Sequence, residues 1–224
     1  MPVFILTAAM VAIVLASNIL VQFPVSGSIG SLALGDILTW GAFTYPVAFL
    51  VTDITNRAYG PRVARRVIYG GFIVAILASL IVPPILYRFG LVGFETEPGR
   101  LARIAIASGL AFIIGQLLDV VLFNRLRAES WWKAPVIGSV FGSAADTALF
   151  FTLAFAASFI VLGPIDSFAS EQAPLLGVYA AEFPRWISWA IGDFSVKLII
   201  AAFALIPYRI LMDRLGFWKP QAAL

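Results

Sequence analysis

The chain contains neither cysteine nor histidine. Disulfides, thiolate or imidazole metal sites, and Ser-His or Cys-His nucleophilic arrangements are therefore excluded, and no metal or other cofactor is expected. Charge is scarce as well: Asp, Glu, Lys and Arg make up 12% of the 224 residues, against 61% hydrophobic residues. With a mean hydropathy of +0.98, such a chain reads as an integral membrane protein whose first partner is the lipid bilayer. No phosphate-cradling loop of the P-loop type occurs, which excludes a built-in ATPase and nothing more. The net charge of +3 could suit nucleic acid. The basic residues, however, fall in short links between apolar spans, where they orient a membrane protein, and no nucleic-acid partner is expected.

What is present is a series of apolar stretches. Six spans are expected, at about residues 3–23, 37–57, 67–87, 101–123, 135–162 and 186–210, giving an all-α polytopic fold in one transmembrane domain, 1–224. The first resembles a signal peptide only in its apolarity; no Lys or Arg precedes it, so it reads as a retained helix. The Gly/Ser-rich link 26–35 predicts a loop or re-entrant turn. Tyr59-Gly-Pro61 breaks the second span, and Pro83-Pro84 predicts a kink or early end in the third. The fifth is long enough to tilt, and a mildly acidic link of about twenty residues with Asp166, Glu171 and Glu182 follows it. The links after spans two and four (Arg62, Arg65 and Arg66; Arg125, Arg127 and Lys133) and the tail (Arg209, Arg214 and Lys219) are basic, so both termini should be cytoplasmic. Trp131-Trp132 and Trp186 lie where interfacial aromatics belong. Spans two and four both end in an Asp followed by Asn-Arg, a faint three-plus-three repeat.

Asp146, in Phe141-Gly-Ser-Ala-Ala-Asp-Thr147, lies near the middle of the fifth span. A carboxylate at that depth costs roughly 2.5–3.5 kcal/mol on insertion scales, so it must face protein or a wet cavity and find a partner. Sorted by a rise of about 1.5 Å per residue, the intramembrane polar residues form two layers. The outer layer holds Asn18 and Gln22, spaced i, i+4; Trp40 and Phe43; and Asp193 and Lys197, also i, i+4 and level with Asp146. The inner layer holds Asp53, Asn56 and Arg57 on span two and Gln116 and Asp119 on span four.

The bland readings are pairing and packing. Asp193 can neutralise Lys197 on one helix face, or Lys197, the one lysine inside any span, can pair with Asp146. Asp53 with Arg57 reads as a packing and gating element, Asn18 and Gln22 as interhelical glue, and Gly138 and Gly142 as a close-packing seam that is weak grounds for a homodimer. The functional reading is a site: carboxylate, amides, an ammonium and aromatic faces suit a flat polar heterocycle. A guanine-like ring offers adjacent N–H donors that one carboxylate accepts in bidentate fashion and a face on which Trp or Phe stacks.

Several segments carry a resemblance: Ser17-Asn-Ile-Leu-Val-Gln-Phe-Pro24, Thr39-Trp-Gly-Ala-Phe43, Thr52-Asp53, Gly115-Gln-Leu-Leu-Asp119 with Phe123-Asn-Arg-Leu-Arg127, Phe141-Gly-Ser-Ala-Ala-Asp-Thr147 and Asp193-Phe-Ser-Val-Lys197. In that order they resemble the bacterial queuosine-precursor transporter family, also called the vitamin uptake transporter family. The resemblance implies a six-helix multi-pass carrier of the inner membrane for a small-molecule 7-deazaguanine base, 7-cyano-7-deazaguanine or its aminomethyl relative, salvaged for tRNA modification. It implies kinship with the substrate-binding components of energy-coupling-factor transporters, working without their ATPase module. The family pattern has an amide in the Phe-Gly-x motif where this chain has Ser143.

On these residues the expected substrate site is Asn18, Gln22, Trp40, Phe43, Asp146, Asp193 and Lys197, with an inner gate of Asp53, Asn56, Arg57, Gln116 and Asp119. A binding component dependent on ATPase partners has the same size and span count. An intramembrane aspartyl protease would use Asp146 and Asp193, but Ala190 replaces the first glycine of its motif and Lys197 opposes a shared-proton dyad. A channel would need like-charged rings in register, which the sequence does not show.

Overall fold

The computed structural model describes residues 3–216; Lys219, counted among the basic residues of the tail, lies outside them. The fold is mostly helical, and among the described residues five helices are long and apolar enough to cross a membrane. They are α1 (Val3–Leu20), α4 (Pro61–Arg88), α5 (Pro98–Leu126), α6 (Lys133–Phe155) and α8 (Arg185–Leu215). Bare apolar faces remain on the outside of the bundle, such as Ile73, Leu77 and Ile81 on α4 and Ile199, Phe203 and Ile206 on α8. This is a multi-pass membrane protein.

The stretch expected as a second span, 37–57, is not one helix. After a 3-10 turn at Leu34–Asp36 it forms a four-residue helix α2 (Gly41–Thr44) and then α3 (Val47–Tyr59). Tyr45 and Pro46 keep right-handed helical dihedrals. Pro46 has no N–H, though, and the bonds that follow it shorten to i, i−3, from Ala48 to Tyr45 and from Phe49 to Pro46. The 13 residues of α3 cover about 20 Å, less than a bilayer core. What α3 lacks in length it has in burial: Ala48, Phe49 and every residue from Val51 to Arg57 are buried, which makes it the inner strut of the bundle.

Other boundaries shift for local reasons. Gly60, with φ at +81°, ends α3, and Pro61 at the first helical position starts α4 at once. The Arg62, Arg65 and Arg66 link is therefore the opening of α4 itself rather than a loop. The same helix runs through Pro83-Pro84 to Arg88, because the two missing donors fall near its end. The fifth span ends at Phe155, not at 162; Ala156 is extended and a 3-10 turn follows over Ala157–Leu162. The guanidinium of buried Arg103 on α5 holds this stop, donating to the carbonyls of Leu153 at 2.9 Å and Ala156 at 2.6 Å and to those of Gly163 and Pro164 beyond. It satisfies carbonyls that a helix end otherwise leaves bare.

The links also have structure. Residues 26–35 contain a tight antiparallel hairpin, β1 (Ser28–Ile29) with β2 (Leu32–Ala33). The acidic link after α6 contains α7 (Ser167–Ser170) and a second hairpin, β3 (Gln172–Pro174) with β4 (Glu182–Pro184), and Asp166 there pairs with Arg100 of α5.

The closest helix pair is α5 with α6, where a stripe of small residues lets backbones touch. A Cβ on Gly142 would lie 2.8 Å from the Gly115 carbonyl oxygen and 2.8 Å from the Phe49 ring, and one on Gly115 would lie 2.9 Å from the Gly142 carbonyl oxygen. Gly138, one turn before Gly142, lies directly against the Asp119 carboxylate. The 138/142 spacing thus serves packing within the chain.

Candidate functional site

Three charged side chains expected at one depth are in contact. Lys197 of α8 donates to Asp146 Oδ2 of α6 at 2.7 Å, and its ammonium also lies 2.6 Å from Asp193 Oδ2 one turn earlier on α8. Its third acceptor is Thr147 Oγ1 at 2.9 Å, and the Thr147 hydroxyl donates in turn to Asp193 at 2.7 Å. An ammonium has three donors, so those of Lys197 are all in use. The other oxygen of Asp146 accepts from the Tyr45 hydroxyl at 2.8 Å, and the Tyr45 ring lies 5.1 Å from the Lys197 nitrogen. Asp146 and Lys197 are each 3% exposed, which makes their mutual satisfaction obligatory. Both alternatives left open by the sequence hold together: Lys197 pairs with Asp193 on its own helix and with Asp146 across helices.

Tyr45 and Thr147 were not among the expected site residues. A signal existed for each: Tyr45 places a phenol inside an apolar span immediately before Pro46, and Thr147 directly follows Asp146. A buried hydroxyl in such a place needs a partner. That the partner is Asp146 follows only from the break at Pro46, which brings the start of α3 against α6.

On the Tyr208 side of Lys197 a narrow cleft separates α3, α6 and α8. Its walls are Pro46, Phe49, Leu50 and Asp53 of α3, Pro135, Ser139 and Ser143 of α6, and Lys197, Ala201, Ala204, Leu205 and Tyr208 of α8. Its volume is ≈ 10 Å³, about what one water needs. At that size it does not admit a heterocycle. Ser143 is on this wall and buried.

The inner layer is assembled as a second polar network. Thr52 donates to Gln116 Oε1 at 2.5 Å, and the Ser139 hydroxyl makes a long contact of 3.4 Å with Asp53 Oδ2. Asn124 donates to Asn56 at 3.2 Å. Arg57 donates to the Tyr208 hydroxyl at 2.9 Å and to the Arg127 carbonyl at 2.6 Å, with its guanidinium 4.8 Å from the centre of the Phe123 ring. Arg127 returns a bond to the Arg57 carbonyl at 3.2 Å. These bonds form a clasp between the end of α3 and the end of α5, made by Asn56 and Arg57 with Asn124 and Arg127 rather than by the Asn124-Arg125 pair that the sequence similarity points to. Several buried polar atoms of this layer have no hydrogen-bond partner: Asp53 Oδ1, Asn56 Nδ2, Gln116 Nε2 and both oxygens of Asp119.

The remaining outer residues lie apart from the trio. Asn18 donates to the Val14 carbonyl and accepts from Ser79 of α4 at 2.8 Å, so it ties α1 to α4. Gln22 is half-buried in the turn after α1. Trp40 is 47% exposed, its backbone N–H bonded to the Phe23 carbonyl and its ring 5.8 Å from that of Phe43. Among the described residues no hydrogen bond or ring contact joins Gln22, Trp40 or Phe43 to Asp146, Asp193 or Lys197.

Residues 39–212 match the family described as "Putative vitamin uptake transporter". The chain is 36% identical over 208 residues to the queuosine precursor transporter of Escherichia coli K12, covering 91% of this chain and 83% of that protein. It is 35% identical over 205 residues to the "Probable queuosine precursor transporter" of Haemophilus influenzae, covering 87% and 79% of the two chains. A Bacillus subtilis protein of the same description is 28% identical over 176 residues, covering 76% and 69%. No solved structure matches the chain.

Proposed function

This chain belongs to the vitamin uptake transporter family, and from that premise we propose that it imports a queuosine precursor, 7-cyano-7-deazaguanine or its aminomethyl relative, across the bacterial inner membrane for salvage into tRNA. It is a transporter, not an enzyme. The observation that carries the substrate reading is the 36% identity across 91% of the chain to a protein named for queuosine-precursor transport.

The geometry supports a carrier in which α2 and α3 together make a sixth, proline-broken crossing, with both termini on the cytoplasmic side. The ligand arrives from outside past Gln22 and the neighbouring rings of Trp40 and Phe43. It parts α3 from α6 and α8 and settles inward of the trio, where Phe49 and Pro46 provide a flat wall and Ala201 and Ala204 a low one. Asp146, Lys197 and Asp193 hold α6 to α8 around that cleft. The inner gate is the clasp of Asn56 and Arg57 with Asn124 and Arg127, backed by Gln116 and Asp119.

The test is rescue of queuosine in tRNA. A strain unable to make or import the precursor, given this chain and external 7-cyano-7-deazaguanine, regains queuosine in its tRNA. Rescue in a host that also lacks energy-coupling ATPase proteins establishes autonomy; rescue only in their presence establishes a binding component. Failure in both hosts, with the protein present in the membrane, overturns the substrate.

A further inference from the structure

The trio expected to face the substrate is occupied with itself. Lys197 spends its three donors on Asp146, Asp193 and Thr147, and Asp146 divides its oxygens between Lys197 and Tyr45. The donors of Lys197 are all taken, so a ligand approaching this cluster gains a bond from the ammonium only by displacing an existing charge-assisted one. On the cleft wall the position is different at Asp53. This residue is 2% exposed and lines the cleft; its Oδ2 has one long contact from Ser139, and its Oδ1 has no hydrogen-bond partner. Of the residues with such orphaned buried atoms, Asp53 is the one that lines the cleft.

We infer that Asp53 is a ligand-contact residue of this carrier: its carboxyl group, facing the cleft between α3, α6 and α8, accepts the paired N–H donors on the edge of the transported base. The inference rests on the reading of the chain as a deazaguanine importer and moves Asp53 from gate to binding site. The chemistry matches on both sides. A guanine-type base carries a ring N–H and an exocyclic amino group side by side, a planar two-donor edge like that of a guanidinium, and an ionised carboxylate accepts such an edge with two parallel bonds. Phe49, one turn before Asp53 on α3, lies on the same wall and offers its ring to the face of a base held there. Arg57, one turn after Asp53, faces Tyr208 and the Arg127 carbonyl, and Asp119 approaches from α5. A buried acceptor left without a donor is costly, and a ligand that supplies the donors recovers that cost on binding.

The experiment is equilibrium binding to the full chain in lipid nanodiscs, with two probes: 7-cyano-7-deazaguanine and 7-cyano-7-deazahypoxanthine, which lacks the exocyclic amino group. Wild type binds the first at least 10-fold more tightly than the second. Asp53→Asn, which keeps the size of the side chain, weakens the deazaguanine at least 10-fold and loses most of the discrimination between the probes. An Asp53→Asn protein that elutes and melts as wild type and binds the deazaguanine with unchanged Kd overturns the inference while leaving the importer reading standing. If the variant does not fold, the two probes on wild type decide, and equal affinities overturn the inference. A wild-type protein that binds neither probe overturns the importer reading, and the inference with it.

Discussion

Lys197 of α8 lies 2.7 Å from Asp146 of α6, both side chains buried, with Tyr45 holding the far oxygen of the carboxylate at 2.8 Å. A pair of this kind contributes little net stability over a well-packed apolar substitute, because desolvation offsets most of the attraction. Removing one partner alone is a different matter, since it leaves a buried charge without compensation. The relationship therefore predicts an asymmetry between single and paired changes.

Lys197→Met leaves Asp146 and Asp193 facing each other without the ammonium between them. It should destabilise the protein by about 3–5 kcal/mol. The double change Lys197→Met with Asp146→Asn should recover a large part of that loss. Thermal unfolding in nanodiscs, followed by tryptophan fluorescence, reads both; a double variant no more stable than the single one contradicts the assigned pairing.

Tyr45→Phe keeps the ring beside Lys197 and removes the hydroxyl donor to Asp146. A hydrogen bond to a charged group is worth roughly 1.5–3 kcal/mol, and the variant should lose stability in that range. Because Tyr45 sits at the Pro46 break, the uptake rate of 7-cyano-7-deazaguanine should change along with stability. Unchanged melting would mean that the phenol is not a partner of Asp146.

Gly142→Ala adds a methyl group 2.8 Å from the Gly115 carbonyl oxygen, a backbone atom that cannot rotate away. Overpacking of this kind costs about 1–3 kcal/mol. Gly93→Ala is the matched control, since a Cβ there meets nothing within 4 Å, and it should melt as wild type.

Arg127→Gln removes the guanidinium that returns a bond to the Arg57 carbonyl and weakens the clasp between α3 and α5. If the clasp is the inner gate, equilibrium binding of the base stays within about 2-fold of wild type, since a residue remote from the cleft contributes little to ligand contact. The rate of uptake into proteoliposomes changes by a larger factor. Altered binding with an unchanged uptake rate would remove the clasp from the transport path.

Much of this arrangement is legible before any coordinates. Composition alone demands a membrane, and the cost of a mid-span carboxylate demands a partner for Asp146. The i, i+4 spacing of Asp193 and Lys197 places both on one face of α8, and depth along each span puts them level with Asp146. The link chemistry of Tyr59-Gly-Pro61 is local too, so the end of α3 is read correctly from residues that touch. The failures share one cause. The fifth span ends earlier than its apolar run because its limit is set by a contact from elsewhere, Arg103 of α5 bonding the terminal carbonyls of α6. Asn18 was placed in the site by depth, yet it faces Ser79, because depth says nothing about rotation around the helix axis.

What the sequence by itself determined is the solvent, the helical class and the pairs that one helix turn brings together. These depend on hydrophobic transfer and on the fixed rise of a helix, both properties of neighbouring residues. What only the tertiary structure decided is which faces meet: Tyr45 on Asp146, Asn18 on Ser79, Arg57 on Arg127, and Asp53 turned into the cleft with an oxygen unsatisfied. Those contacts depend on how far one helix slides and turns against another. That is set by the backbone approach of Gly115 to Gly142 and by the break at Pro46, whose effects reach side chains on other helices.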